Sequence, residues 1–180
     1  MKKKSIIIIV VVVILAIIGI LKLNFSGPNG GNSDPNIIIG AKADKEKAIK
    51  VTFTIDATVL TKKENYDKLG SEYQSYVPKD GYIIKNLDVQ LTKEYTVEQV
   101  LQAIAKEKNI TIEYASMSDM TYIEAINNLG SKAVGDMSGW LYMINGEFPM
   151  TSIDKTILKD GDKVTFIYSA DGGSDIKGLK

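Results

Sequence analysis

The chain of 180 residues contains no cysteine, no histidine and no arginine. The absence of cysteine excludes disulfides, thiolate metal sites, thiol nucleophiles and a lipid-modified N-terminal cysteine. The absence of histidine removes the commonest general base and the commonest transition-metal ligand, and without arginine no bidentate clamp on phosphate or carboxylate can form. We therefore expect no catalytic residues, no metal ligands and no firmly bound cofactor, and we predict that the protein is not an enzyme.

Positive and negative charges balance, but they are distributed unevenly. Lysines and acids number 22 each, and Lys2, Lys3, Lys4 and Lys22 flank an apolar N-terminal run. The rest of the chain then holds 18 lysines against 22 acids, a net charge of about −4. Because nucleic-acid binding needs a basic surface, we expect no nucleic-acid partner.

The N-terminal run is continuously apolar from Ile6 to Leu21. A helix of about 16 residues is about 24 Å long, between the core of a signal peptide and a full membrane span. The following residues offer no convincing small-x-small cleavage site, so an uncleaved signal-anchor is favoured, with a cleaved signal and secretion as the alternative. The lysine cluster should stay in the cytoplasm, so the rest of this single-pass cell-membrane protein faces outside.

The predicted organisation has four parts. A transmembrane signal-anchor helix covers 1–22, a flexible linker 23–47, one folded domain 48–170 and a flexible tail 171–180. The linker is rich in Gly, Asn, Ser and Pro, which is typical of mobile connections. Two segments stay open: 37–39 is either a short strand or a cover over the core, and 41–48 is either a helical turn or more linker.

Alternating apolar residues predict strands at 49–60, where Val51, Phe53 and Ile55 share a face, and at 82–93, paired antiparallel with the first. Between them, 61–81 is predicted as a long loop with at most a helical turn. Thr96 followed by Gln99 forms a capping-box pattern, so a helix is predicted from Thr96 to about Asn109. Its apolar face is predicted to comprise Val97, Val100, Leu101, Ile104 and Ala105.

The last third of the domain is predicted to be short strands and turns. Strands are expected at 110–114, 140–144 and 163–169, with turns at Asn145-Gly146 and 159–162. The segment 120–130 is ambiguous between a strand with a turn and other structures. Two strands, a crossing helix and several more strands predict an α+β fold of the β-grasp (ubiquitin-like) type, in which one helix packs on a mixed sheet.

Three segments in this last third, 122–130, 138–146 and 158–168, resemble the transcobalamin-like C-terminal domain family. Trp140, Tyr142, Asn145 and Gly146 match its Gly-Trp-x-Tyr-x-x-Asn-Gly core, and Gly161, Asp162, Val164 and Tyr168 match its closing pattern. The resemblance implies a β-grasp module of bacterial surface proteins, mostly of unassigned function. It also implies a corrinoid (cobalamin-like) molecule as a candidate ligand, although the helical barrel that completes the animal site has no counterpart in 180 residues.

Six residues are the candidate ligand-binding set: Ser138, Gly139, Trp140, Tyr142, Asn145 and Phe148. Trp140 and Tyr142 share a strand face and could stack on a flat ligand, although a core role for both is favoured; Leu141 and Met143 are the alternative core pair. Ser138-Gly139 allows close approach of a ligand, but a plain turn is favoured. The apolar segment 148–150 either rims a groove or covers the sheet edge.

Acidic residues near the 159–162 turn suggest calcium only weakly. Asp160, Asp162 and the nearby Asp154 offer oxygen ligands, but the spacing of a calcium loop is missing, so a simple turn is favoured.

The sequence therefore predicts a membrane-tethered extracytoplasmic binding module for a corrinoid or other small flat ligand. The alternative is a non-catalytic interaction module that docks to a membrane-proximal protein, such as a transporter or a surface protein. The lysine-, isoleucine- and asparagine-rich composition is typical of a Gram-positive, AT-rich source.

Overall fold

The computed structural model describes residues 34–40, 48–117 and 120–176, which belong to one compact unit, Ser33–Lys180. The predicted anchor 1–22 and the open segment 41–47 lie outside the described residues. Among the residues that are described, no helix has the length and apolar character needed to cross a membrane.

Eight strands and three α-helices form the described elements. The strands are β1 Ile37–Ile39, β2 Ile49–Asp56, β3 Tyr82–Leu91, β4 Ile112–Met117, β5 Met120–Ile126, β6 Leu129–Gly130, β7 Gly139–Ile144 and β8 Lys163–Ser169, and the helices are α1 Lys63–Tyr66, α2 Ser71–Gln74 and α3 Val97–Lys108.

A five-stranded mixed sheet organises the domain, in the order β1-β3-β2-β8-β7. Strand β3 pairs antiparallel with both β1 and β2, and β7 pairs antiparallel with β8. The two central strands, β2 and β8, run parallel, with Phe53 opposite Val164 and Ile55 opposite Phe166. Together with α3, this sheet confirms the α+β class.

Strand β2 has the predicted inward face, because Val51, Phe53 and Ile55 are all buried. Its predicted end at residue 60 is wrong, since the strand stops at Asp56. The Asp56 carboxylate accepts a hydrogen bond of 2.7 Å from the Thr58 backbone N–H. This bond turns the chain into a 3₁₀ helix, Thr58–Thr61, because an Asp side chain offers the backbone an alternative to the strand ladder.

Helix α3 begins and ends at the predicted residues. Thr96 Oγ1 accepts from the Gln99 N–H at 3.3 Å, and Gln99 Oε1 accepts from the Thr96 N–H at 3.0 Å, which completes the capping box. Asn109 ends the helix in the left-handed conformation, as C-terminal caps often do. The predicted apolar face is the buried one, and most of it joins the core with the inner face of the sheet.

The ambiguous segment 120–130 forms strands of a second, three-stranded sheet, β4-β5-β6. Asn127 and Asn128 connect β5 to β6 with φ angles of 52° and 63°, and Ile126 pairs with Leu129 across them. Two consecutive positive φ angles are what a type I′ hairpin turn requires, and asparagine tolerates them better than most residues.

Three segments outside the predicted strands also contain structure. Ile37–Ile39 is a strand paired with Val89–Leu91, which settles its open interpretation. The Tyr95 hydroxyl donates to Asp34 at 2.5 Å just before that strand. The predicted loop 61–81 contains the short helices α1 and α2, and in the predicted tail Ile176 is buried. The bounds of the four predicted parts of the chain stay predictions.

Gly81 and Gly146 provide a test of close packing beneath the first hairpin. Their φ angles are similar, 78° and 83°. A Cβ on Gly81 would lie 2.5 Å from Thr58 Cα, whereas one on Gly146 meets nothing within 4 Å. We expect Gly146→Ala to destabilise the fold by about 1–2 kcal/mol through backbone strain, and Gly81→Ala by roughly 2–5 kcal/mol because overpacking is added. Urea unfolding measures both, and equal losses would contradict the packing argument.

Candidate functional site

A small apolar cavity lies where strand β5, edge strand β7 and the loop 148–153 meet, and its volume is about 210 Å³. Three predicted ligand-binding residues, Trp140, Tyr142 and Phe148, line it together. The remaining lining residues are Met120, Thr121, Tyr122, Ile123, Leu141, Pro149, Thr151, Ser152, Ile153 and Phe166. Two larger depressions on the described surface are more open and more polar, and one of them adjoins this cavity through Phe148 and Pro149 and is also lined by Asn145. The more enclosed and more apolar cavity is the candidate site.

Trp140 forms part of the core as well as the cavity wall. Its side chain is 8% exposed, and its Nε1–H donates to the Leu129 carbonyl at 2.6 Å. Its ring meets Tyr168 edge-on, with centroids 5.2 Å apart and planes at 90°. The hydrogen bond satisfies the one polar group of a buried indole. Trp140 therefore has the favoured core role, and only a small part of its indole can contact a ligand.

Tyr142 fixes the loop that closes the cavity. Its ring stacks on the ring of Phe166 in the neighbouring strand β8, with centroids 6.0 Å apart. Its hydroxyl donates to the Thr151 carbonyl. The same hydroxyl lies 3.1 Å from Thr156 Oγ1. Because one end of this half-buried side chain is in the core and the other holds the loop, Tyr142 sets the distance between β7 and the loop.

The apolar loop segment 148–150 lies at the cavity mouth. Phe148 and Pro149 line the cavity, while Met150 is 96% exposed. Met120 and Tyr122, from the facing strand β5, are also exposed, at 54% and 44%. The cavity therefore opens onto an apolar rim formed by Met120, Tyr122 and Met150.

The other three candidate residues lie outside the cavity lining. The Ser138 hydroxyl is buried and donates to the Gly135 carbonyl at 2.8 Å. Gly139 lies against Ser131, and a Cβ there would come within 3.2 Å of its Oγ. Asn145 is in the predicted turn, where its side chain donates to Asp162 at 2.9 Å and accepts from the Lys163 N–H. These contacts give Ser138 and Asn145 structural roles in turns, and Gly139 begins strand β7.

The carboxylates of Asp160 and Asp162 hold the turn before β8, as the favoured interpretation predicted. Asp160 accepts from the Lys50 N–H at 2.8 Å, and Asp162 accepts from the Lys159 N–H at 2.8 Å. Within the described ranges, no group of three or more acidic side chains is placed to hold a metal ion.

Ser152 is a lining residue that the sequence did not indicate. It is 4% exposed, and its hydroxyl lies beside the carboxylate of Asp154. No local pattern identifies this residue, because its burial depends on the loop folding back against β5 and β7.

A polar cluster adjoins this wall of the cavity. It consists of Glu98 in the first turn of α3, Tyr114 on β4, and Ser152 and Asp154 in the loop. Burial raises the pKa of Glu98 above its usual value, and the negative charge of Asp154 raises it further. Burial also raises the pKa of the Tyr114 phenol to about 12. The neighbouring Ser152 hydroxyl lowers the pKa of Asp154.

The residues that line the cavity lie in a segment of the chain that matches a family model. Residues 94–170, from just before α3 to just after β8, match the model of a domain of unknown function, DUF4430. No curated protein sequence matches the chain.

Two solved structures are similar to this chain at low identity. Haptocorrin in complex with Cbi is 13% identical with a TM-score of 0.47; the match covers 72% of this chain and 27% of haptocorrin. A candidate metal-binding protein from Ruminococcus gnavus is 17% identical with a TM-score of 0.40; that match covers 69% of this chain and 97% of that protein. This chain thus corresponds to about a quarter of haptocorrin's length.

The burial of Trp140, the only tryptophan in the chain, predicts its fluorescence. Because the indole is 8% exposed, we expect blue-shifted emission that iodide quenches weakly. The double variant Trp140→Phe/Tyr122→Trp moves the indole to the exposed rim and is the matched reference for strong quenching. Equal quenching in the two proteins would contradict the buried placement of Trp140.

Proposed function

We propose that this protein is a membrane-tethered extracytoplasmic binding module that holds a small flat ligand, such as a corrinoid, without transforming it. The apolar run from Ile6 to Leu21, preceded by Lys2, Lys3 and Lys4, supports the tether and the orientation. The missing cysteine, histidine and arginine support a role in binding rather than catalysis.

The observation that carries this proposal is the cavity bounded by Trp140, Tyr142 and Phe148. Binding sites in proteins are typically concave and apolar, with a few polar groups that orient the ligand. Here the buried Ser152 hydroxyl is such a group within an otherwise mainly apolar lining. It would orient a ligand that brings a hydrogen-bonding group to it.

The volume of the cavity sets how a ligand would bind. The cavity volume of about 210 Å³ is smaller than the volume of pockets that enclose a drug-sized molecule, which is roughly 300–1,000 Å³. A corrinoid is larger still, so only its edge or one side chain would enter. The remainder would lie across the rim of Met120, Tyr122 and Met150, which suits a flat molecule.

The strand order supports the finer fold class of this proposal. In a β-grasp domain an initial hairpin is followed by a helix, and the last strand returns to the centre of the sheet parallel to the first. The order β3-β2-β8-β7, with β2 and β8 parallel and α3 between the two halves in sequence, supports the proposal of that arrangement. It agrees with the predicted transcobalamin-like module.

A second candidate function is favoured by the exposure of the rim. Met150 is 96% exposed and follows the lining residue Pro149 in sequence, and the lining residues Met120 and Tyr122 are also exposed; exposed apolar patches commonly mark interaction sites. In this alternative the rim docks to a membrane-proximal protein, such as a transporter or another surface protein, and the cavity receives one of its side chains.

Ligand binding is tested by calorimetric titration of the purified full-length chain with cobalamin and cobinamide. We expect saturable heat in the micromolar range. Phe148→Ala should weaken binding by about tenfold, since it removes roughly 1.4 kcal/mol of apolar contact. Tyr73→Ala, which removes an exposed ring outside the cavity lining, is the matched control and should leave the affinity unchanged.

If the folded chain gives no heat of binding in this titration, the result contradicts the corrinoid proposal and favours the protein-docking alternative. Equal affinity in Phe148→Ala and Tyr73→Ala would place any binding outside the cavity.

Membrane tethering is tested separately in a bacterial host. A C-terminal alkaline phosphatase fusion should be active, because that enzyme folds only outside the cytoplasm. The chain should also remain in the membrane after alkaline carbonate extraction. Release of the intact domain into the medium would instead establish signal cleavage and secretion.

A further inference from the structure

Strand β7 is an edge of the five-stranded sheet that lacks the usual protections of an edge. It is the last strand in the order β1-β3-β2-β8-β7, and its register with β8 is unbroken from Gly139 to Ile144. Its sequence, Gly-Trp-Leu-Tyr-Met-Ile, contains no charged residue and no proline. Natural sheets commonly protect an exposed edge with lysine, proline or a bulge, so the unprotected β7 is open to a further strand.

The backbone groups of Trp140 and Tyr142 face this open edge. The Asn145 N–H donates to the Lys163 carbonyl at the start of β8 at 2.9 Å, whereas the Ile144 N–H donates away from β8. Because successive residues of a strand direct their backbone groups to opposite sides, those of Trp140 and Tyr142 share the direction of Ile144. Among the described residues, the backbone N–H and C=O groups of Trp140 and Tyr142 have no hydrogen-bond partner.

Pro149 explains why the chain leaves this edge open. After the Asn-Gly turn, Glu147 and Ile144 exchange two backbone hydrogen bonds, of 2.9 and 3.0 Å, so the chain starts back along β7. The next such pair would join residue 149 to Tyr142, but proline has no N–H to donate. The pairing stops after this one bridge, and the segment 148–153 diverges to line the cavity beside β7.

Two depressions adjoin the free edge, and they differ in charge. The cavity beside Trp140 and Tyr142 has no charged residue in its lining, so a side chain that enters it must be neutral to avoid burying an unpaired charge. The adjoining depression lies at the Ile144 end of β7 and is lined by two acids and one lysine, Glu147, Asp162 and Lys159. A positive charge is therefore favoured at that end.

We propose that the edge of β7 at Trp140 and Tyr142 binds an extended segment of a partner protein as an added antiparallel strand. Neutral apolar side chains of the segment enter the cavity, and a basic residue lies beside Glu147. Strand addition to a free sheet edge is a recurring mode of peptide recognition, and antiparallel pairing is slightly more stable per residue than parallel pairing. The inference rests on the docking alternative of the proposed function, whose partner it specifies, and not on the corrinoid.

A single extended segment fits this edge better than a second copy of the domain does. Strand β5 and the loop 148–153 line the same cavity as β7, and its volume is about 210 Å³. A second β7 would bring its own β5 and loop to this place, where they would meet those of the first copy. A segment without flanking structure needs only the width of one strand.

The test is calorimetric titration of the purified full-length chain with the peptide acetyl-Lys-Thr-Val-Thr-Val-Thr-amide. In an antiparallel added strand, the residues whose N–H groups face β7 have their side chains on the same face as Trp140 and Tyr142. We expect saturable binding, and N-methylation of both valines should weaken it at least about tenfold, because each methyl group removes a donor to β7. The matched control is N-methylated at the two threonines that precede the valines and should bind as the unmodified peptide does.

A protein variant tests the preference for a basic residue. Glu147→Gln should weaken binding of this peptide by about two- to fivefold, the size of an exposed charge interaction. Glu64→Gln, which removes an exposed acid from helix α1, is the matched control and should leave the affinity unchanged. Equal affinity in the two variants would overturn the choice of a basic segment.

Amide hydrogen exchange measured by NMR locates the bound peptide. In the free chain, the Trp140 and Tyr142 amides should exchange faster than those of Leu141 and Met143, which face β8. The peptide should slow the exchange of the first pair and leave the second pair unchanged. Slow exchange of Trp140 and Tyr142 without peptide, or no change with saturating peptide, would overturn the proposal.

The two titrations separate this inference from the proposed function. Equal affinity for the two methylated peptides, or no saturable peptide binding by a folded chain that binds cobinamide, would overturn strand addition alone. Peptide binding with the expected dependence on methylation, by a chain that binds no corrinoid, would support strand addition and contradict the corrinoid proposal.

Discussion

The parallel pairing of β2 with β8 is the constraint on which the rest of the domain depends. It places Phe53 and Ile55 beside Val164 and Phe166, all buried, at the centre of the sheet. Strand β3 pairs with the outer edge of β2, and β7 with the outer edge of β8. If this central contact were lost, α3 would have no continuous apolar surface to cover, and the cavity would lose the strand against which Tyr142 stacks.

Local sequence signals predicted those parts of the fold whose causes are local. Thr96 and Gln99 lie three residues apart, so the capping box could be read directly, and the apolar spacing of α3 gave its buried face. The alternation in β2 likewise predicted its inward residues. The three-residue strand at Ile37–Ile39 could not be settled, because it exists only through pairing with residues 50 to 54 positions later.

The candidate site was predictable to a smaller extent. Aromatic residues in and after one strand pointed to Trp140, Tyr142 and Phe148, and the structure brings these three to one cavity. Ser138 and Asn145 were near in sequence but serve turns, since flexibility and turn formation use the same residue types, and Gly139 begins β7 beside Ser131. Ser152 escaped notice because its burial arises from three separate segments, and a lone serine in a polar loop has no distinguishing pattern.

The central pairing also governs when the domain can form. The Lys50 N–H and its acceptor Asp160 are 110 residues apart, and contacts of such large sequence separation are slow to close. A chain emerging in order from a ribosome or a translocation channel has β2, β3 and α3 available long before β8. Until β8 arrives, the backbone N–H and C=O groups on one edge of β2 have no strand to pair with. The domain is therefore completed late, in one concerted step. Because closure is late, the segment that contains β8 decides whether the protein reaches its native state at all.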